Sequence, residues 1–151
     1  MVFENFTELL VNLTPETKPL WGKMTAQHMV EHLIMAFQMS DGNLVFDKSF
    51  NPPERFAVLK RILTSKNPLP KNFMNPAIGE DLLPLQYQSL KESIEFLHKE
   101  IDNFIKFFED NPSVSTLNVT FGPLNKNEWM IFHEKHLTHH LKQFGLIKEE
   151  V

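Results

Sequence analysis

At 151 residues, with 42% hydrophobic and 23% charged side chains, the chain has the size and makeup of one soluble globular domain, residues 1–151, able to bury a core unaided. A formal net charge of -4 with scattered lysines offers no basic surface for nucleic acid, and no apolar run approaches the roughly 18 residues that a membrane span requires. The absence of cysteine excludes disulfides, thiolate zinc ribbons, iron–sulfur clusters and a thiol nucleophile, so any metal must sit on His, Asp or Glu.

The N-terminus begins Met-Val-Phe-Glu-Asn, with an acidic residue where a signal peptide would be basic, so the cytoplasm is the expected compartment. Phe3, Phe6, Leu9, Leu10 and Leu13 recur at helical spacing and predict a first helix from Phe3 to Leu13, ended by Pro15 and Pro19. Thr25 is the expected N-cap of a second helix that runs to Asp41 and stops at Gly42. A shorter helix is expected from Glu54 to Thr64, after Pro52-Pro53. Residues from Asn67 to Pro84, rich in Pro and Asn, read as an irregular excursion.

The strongest helical pattern covers Gln86 to Asp110, where Leu90, Ile94, Leu97, Ile101, Phe104, Ile105 and Phe108 form one stripe before Asn111-Pro112. Val114 to Phe121 is β-branched but has no evident partner strand, so it is expected to be loop. Asn125 and Glu128 have capping-box spacing and open a last helix closed by Gly145. Four substantial helices and almost no strand make this an all-α chain, a helical bundle with a short extra helix and irregular loops.

Seven histidines carry the chemical signal: His28, His32, His98, His133, His136, His139 and His140. His28/His32 and His136/His140 are each four apart on a predicted helix, so each pair points one way. Imidazoles from two facing helices could hold one divalent ion and leave a coordination position open, as catalytic sites do. At about 100° per residue, Trp129, His133, His136, Leu137, His140 and Phe144 share the burying side of the last helix. Lys135, Thr138 and Lys142 lie opposite, and His139 falls at the edge. This favours His136 and His140, with His133 as a candidate third ligand. On the second helix His28, His32, Met35, Ala36 and Met39 share a side. His98, among Glu95, Lys99 and Asp102, reads as surface.

The stretch Leu20-Trp21-Gly22-Lys23-Met24-Thr25-Ala26-Gln27-His28-Met29-Val30-Glu31-His32-Leu33 resembles the second-helix motif of DinB-like proteins. Phe121-Gly122-Pro123-Leu124, Glu128-Trp129 and Lys135-His136-Leu137-Thr138-His139-His140-Leu141 resemble the last-helix motif of the same group, within a subgroup known only as a domain of unknown function. The resemblance covers residues 20–42 and 121–145. It implies an up-down-down-up four-helix bundle with a metal held by His32, His136 and His140, His28 standing where Gln is common. It departs at Val119-Thr120, where relatives often carry His-Pro.

The ion expected on three imidazoles is zinc or nickel, a Lewis acid able to activate water or a thiol. Relatives that use low-molecular-weight thiols imply a metal-dependent transferase or hydrolase acting on a small molecule, with a homodimer as the expected assembly. No motif fixes a general base: Glu31 lies about 100° around its helix from His32, and Glu128 is a capping residue. Gln143, near the His136/His140 side, could support a ligand by hydrogen bonding. A non-catalytic bundle that binds metal or a small molecule, for instance in a stress response, is the other reading.

Overall fold

The computed structural model of the chain describes residues 4–71 and 82–148. It is mostly helical: α1 (Phe6–Leu9), α2 (Ala26–Ser40), α3 (Phe56–Thr64), α4 (Leu90–Asp110) and α5 (Lys126–Gln143), with a two-stranded hairpin, β1 (Thr116–Asn118) and β2 (Gly122–Leu124), between the last two helices. No helix among the described residues is long and apolar enough to cross a membrane.

The first predicted helix is shorter than its pattern. Phe3 lies outside the described residues, and after α1 the chain continues through tighter turns, with Leu13 N–H donating to the Leu10 carbonyl. Phe6, Leu10 and Leu13 are still buried, so the apolar spacing reported burial rather than a continuous helix. Beyond it, the Thr14 amide turns to the Thr17 hydroxyl, and Pro15 has no amide to offer.

Thr25 caps α2 by accepting from the His28 amide at 3.2 Å, and Gly42 turns the chain away at φ +80°. The helix is buried on most of its circumference, the position of a central element. The Glu31 carboxylate accepts from the backbone amides of Gln86 and Tyr87, just ahead of α4. Further along, the Phe37 ring meets Phe104 at 5.7 Å. Helices α2 and α4 therefore run in the same direction. The opposite holds for α5, whose Gln143 end lies against Trp21 before α2, while His133 sits against Ser40 at the far end.

Helix α4 starts at Leu90 rather than at Gln86, with Ser89 as its N-cap, accepting from the Glu92 amide at 3.0 Å. Within the predicted stripe Leu90, Leu97, Phe104 and Phe108 are buried, but Ile105 is 40% exposed and does not belong to the core. A Pro53–Arg55 single turn precedes α3. Lys135, expected to face solvent, donates to the carbonyls of Ser65 and Asn67 and ties the end of α3 to α5. A cation beside orphan carbonyls complements a helix C-terminus.

The segment read as loop is instead a hairpin, with Thr116 opposite Leu124 and Asn118 opposite Gly122. Its second strand, Gly-Pro-Leu, carries no strand propensity, which is why no partner was visible. Asn118 Oδ1 accepts from the amides of Thr120 and Phe121 across the turn. Ser49 and Asn51 donate to the carbonyls of Val119 and Thr120, and the Thr116 hydroxyl donates to the Ser40 carbonyl. The hairpin is thereby fastened between the long loop and α2.

Gly122 is fixed twice over, by φ +84° and by the Phe56 ring, which an added Cβ would meet at 2.6 Å. Gly122→Ala is expected to cost about 2–4 kcal/mol, strain and overpacking together. At Gly42, where φ is +80° and nothing lies within 4 Å, the same change should cost only about 1 kcal/mol. Equal shifts in urea midpoint for the two variants would show that the Phe56 contact is not what constrains the turn.

At the other end, α5 opens with a capping box between Asn125 and Glu128. It closes at Gly145, φ +67°, where Leu146 N–H reaches the Leu141 carbonyl and Gly145 N–H reaches Lys142.

Candidate metal centre

Three histidines from two antiparallel helices converge. His32 Nε2 lies 2.9 Å from His136 Nε2, and His140 Nε2 lies 3.1 Å from the same atom. The ring centroids are 4.8 Å (His32–His136), 5.0 Å (His32–His140) and 4.7 Å (His136–His140) apart. His136 and His140 are buried and His32 partly so. The three lie close enough to hold a metal ion. Four-residue spacing stacks the α5 pair on one face, and the antiparallel approach of α2 brings His32 against it.

The proton arrangement says more than the distances. Gln143 Nε2 donates to the Trp21 carbonyl at 3.0 Å, which turns Oε1 toward His140 Nδ1 at 2.7 Å. A carbonyl oxygen only accepts, so His140 Nδ1 carries the hydrogen, and the neutral ring presents a lone pair at Nε2. His136 Nε2 has a single in-plane site, either an N–H or a lone pair, so it cannot bond its two neighbours at once. The cluster does not satisfy itself by hydrogen bonding. Tetrahedral zinc with Zn–N near 2.0–2.1 Å sets its nitrogens roughly 3.3 Å apart, near the 2.9 and 3.1 Å from His136 Nε2 to its two neighbours. The donor set fits a divalent ion. Among the described residues, His32 Nδ1 and His136 Nδ1 are buried without a hydrogen-bond partner, so Gln143 orients one of the three rings.

Gln143 is itself held by the strap before α2. Gly22 adopts φ +82°, and a Cβ there would meet Gln143 Nε2 at 2.8 Å. The Gly22 position thus leaves room for the amide that sets the His140 tautomer.

Burial keeps all three imidazoles in the neutral, metal-binding form. Desolvation, aided by nearby His139, pulls His32 down to about 4. His136 and His140 are pushed well below the usual histidine range by desolvation first and by neighbouring histidines second. His133 is lowered by burial alone. Unfolded imidazoles titrate near 6.5. Below that pH the unfolded chain takes up protons that the folded chain refuses. Stability of the metal-free protein is then complete above about pH 6.5 and declines toward pH 4, by up to about 1.4 kcal/mol per pH unit for each such histidine. Urea midpoints should fall steeply between these values; a flat profile would contradict the buried neutral state.

The remaining histidines separate cleanly. His133, the alternative third ligand, is a core residue: its ring stacks on Phe37 at 3.8 Å and 9°, and its Nε2 lies 2.9 Å from the Ser40 hydroxyl. Since Ser40 donates to the Phe37 carbonyl, it accepts from His133. His28 sits one turn before His32, with Nδ1 2.6 Å from the Thr25 hydroxyl, outside the cluster. His139 packs edge-on against Trp21 at 5.7 Å. His98, expected at the surface, is partly covered and meets the Thr7 hydroxyl at 3.3 Å.

Two contributors were not legible in the sequence. Phe121 of the hairpin packs on Phe132 at 6.1 Å, and Phe132 lies against His136 at 5.1 Å, so the hairpin backs a cluster ring. Glu31, beside His32 in sequence, accepts at both oxygens, from Gln86 on one and from Gln27 and Tyr87 on the other. It fastens the segment before α4 to α2. Compared with protein-family models, with curated proteins and with solved structures, the chain matches none.

Proposed function

We propose that this chain is a DinB-like, up-down-down-up four-helix bundle that binds one zinc or nickel ion on His32, His136 and His140. In this reading it acts in the cytoplasm, as a homodimer, as a transferase or hydrolase on a small molecule with a low-molecular-weight thiol as candidate cosubstrate. The parallel run of α2 and α4 and the reversed run of α5 support the topology. The observation that carries the chemistry is the convergence of three imidazole nitrogens that cannot satisfy one another.

A divalent ion there supplies Lewis acidity at neutral pH, with a coordination position beyond the three histidines. The chain's own part is to keep the imidazoles neutral by burial and to hold the His140 tautomer through Gln143. Glu31, with both oxygens engaged, leaves no carboxylate of α2 free beside the cluster for proton transfer. That observation favours, as the second reading, a bundle that binds metal without turning over a substrate.

Elemental analysis of protein purified without a nickel column should find one zinc or nickel per chain. After chelation the helical circular dichroism should persist at 25 °C with a lower melting temperature, because removal subtracts only the linkage term, about 2.7 kcal/mol at free metal one hundred times Kd. Thiol-transfer or hydrolytic turnover should vanish with the ion and return with it. A chelated protein that is random coil would make the ion a structural staple; a folded chain with no ion under any loading condition would remove the reading altogether.

A further inference from the structure

His32 belongs to two features. One side of its helix joins the histidine cluster, while His32 also lines a cleft of about 90 Å³ between α2 and residues 82–87. The cleft walls are chiefly Met24, Met35, Leu82, Leu83 and Pro84, with Tyr87 at one end. Leu82 and Leu83 are 38% and 39% exposed, so this apolar wall faces solvent rather than the core. Among the described residues no lysine or arginine lines the cleft. The one carboxylate among them, Glu31, is held by Gln86, Tyr87 and Gln27, and His28 Nδ1 lies against the Thr25 hydroxyl.

We infer that this cleft binds the uncharged, apolar part of a small molecule, a short alkyl chain or the edge of one ring, beside His32. Its being a subsite for the substrate rests on the metal-centre reading above. The physical case is one of charge and size. A phosphate or carboxylate entering the cleft would lose water and find no lysine or arginine among the described lining residues, a cost that an alkyl group does not incur. A cavity of about 150 Å³ lined by apolar side chains accommodates benzene, so the smaller volume here, open on one side, suits a few carbons and excludes a bulky group. Apolar walls with a few placed polar groups are the usual makeup of a small-molecule site. The two thioethers, Met24 and Met35, can adjust to irregular shapes.

The test is a ligand-observed NMR titration with 1-hexanol and hexanoate as probes, on metal-loaded protein, on His136→Ala, and on the cleft variants Met35→Glu and Leu83→Asp. Hexanol binding should saturate, and protein-observed spectra taken in parallel should show the His32 ring resonances shifting. In His136→Ala, where no ion beside His32 can draw a carboxylate, hexanoate should bind about tenfold more weakly than hexanol or worse, a difference of about 1.4 kcal/mol. Both cleft variants should lose hexanol binding while retaining helical circular dichroism and metal. In His136→Ala hexanol binding should survive loss of the ion, so failure of the metal reading and failure of the cleft are told apart. Hexanoate binding as tightly as hexanol in His136→Ala, hexanol binding unchanged in both cleft variants, or no saturation at all would each overturn the inference.

Discussion

His136→Ala is expected to take bound zinc or nickel from stoichiometric to undetectable after desalting, the largest single-residue effect on the site. His136 Nε2 is the atom both other ligands approach, at 2.9 and 3.1 Å, so its removal leaves one nitrogen on each helix and no shared vertex. Losing an outer partner of a metal ligand costs roughly 10–100-fold in affinity, and losing a ligand itself should exceed that. His32→Ala and His140→Ala should behave alike. His98→Ala and His139→Ala, which lie outside the cluster, should keep the ion, and so should any His133 variant that still folds. Competition with a colorimetric chelator gives the affinities. Full retention in His136→Ala would sink the assignment of ligands.

Phe104→Ala should be the most damaging of the core truncations on α4, at about 3–5 kcal/mol. The ring is 1% exposed and meets Phe37 at 5.7 Å, Phe108 at 5.4 Å and His133 at 4.8 Å, each edge to face. Removing it opens a cavity and strips contacts from three neighbours at once. For a domain of this length the loss corresponds to about 10 °C in melting temperature. Ile105, the next residue, is 40% exposed, and its truncation should stay within about 0.5 kcal/mol. Comparable losses at the two positions would mean that α4 presents a different face to the core.

The α5 pair of the cluster was legible because two physical regularities coincide in it, whereas His32 was singled out from His28 only by the family resemblance. Four-residue spacing puts His136 and His140 on one helical face, and the apolar company of Trp129 and Leu137 marks that face as inward. Periodicity could not choose among His133, His136 and His140, since all three are buried. The choice is made by depth along α5, where His133 lies opposite Ser40 and His136 opposite His32. That is a matter of helix register, which a single helix does not encode. The same limit applies to Glu31. Its partners are backbone amides 55 and 56 residues away, and backbone amides leave no trace in a sequence.

Helix caps were read well because they are local: Thr25, Asn125 and Glu128 act within three residues of themselves. The hairpin was missed for the complementary reason. Its second strand is Gly-Pro-Leu, held by a register with Thr116–Asn118 and by loop side chains about 70 residues upstream. Nothing in its own composition favours extension. Ile105 erred in the other direction, since an apolar residue at an acceptable angle need not find a neighbour to cover it.

The separation of the cluster's residues has a consequence for synthesis on the ribosome. His32 and His136 stand 104 positions apart, so a nascent chain carries one member of the cluster on α2 well before the other two are made. At about 5–20 residues per second, the partners from α5 emerge seconds later. A truncated product lacking α5 keeps the cleft's α2 wall but has no three-nitrogen face to offer. If the cluster holds an ion as proposed, metal capture would report that α5 has docked on α2, two helices whose cluster residues lie 104 positions apart.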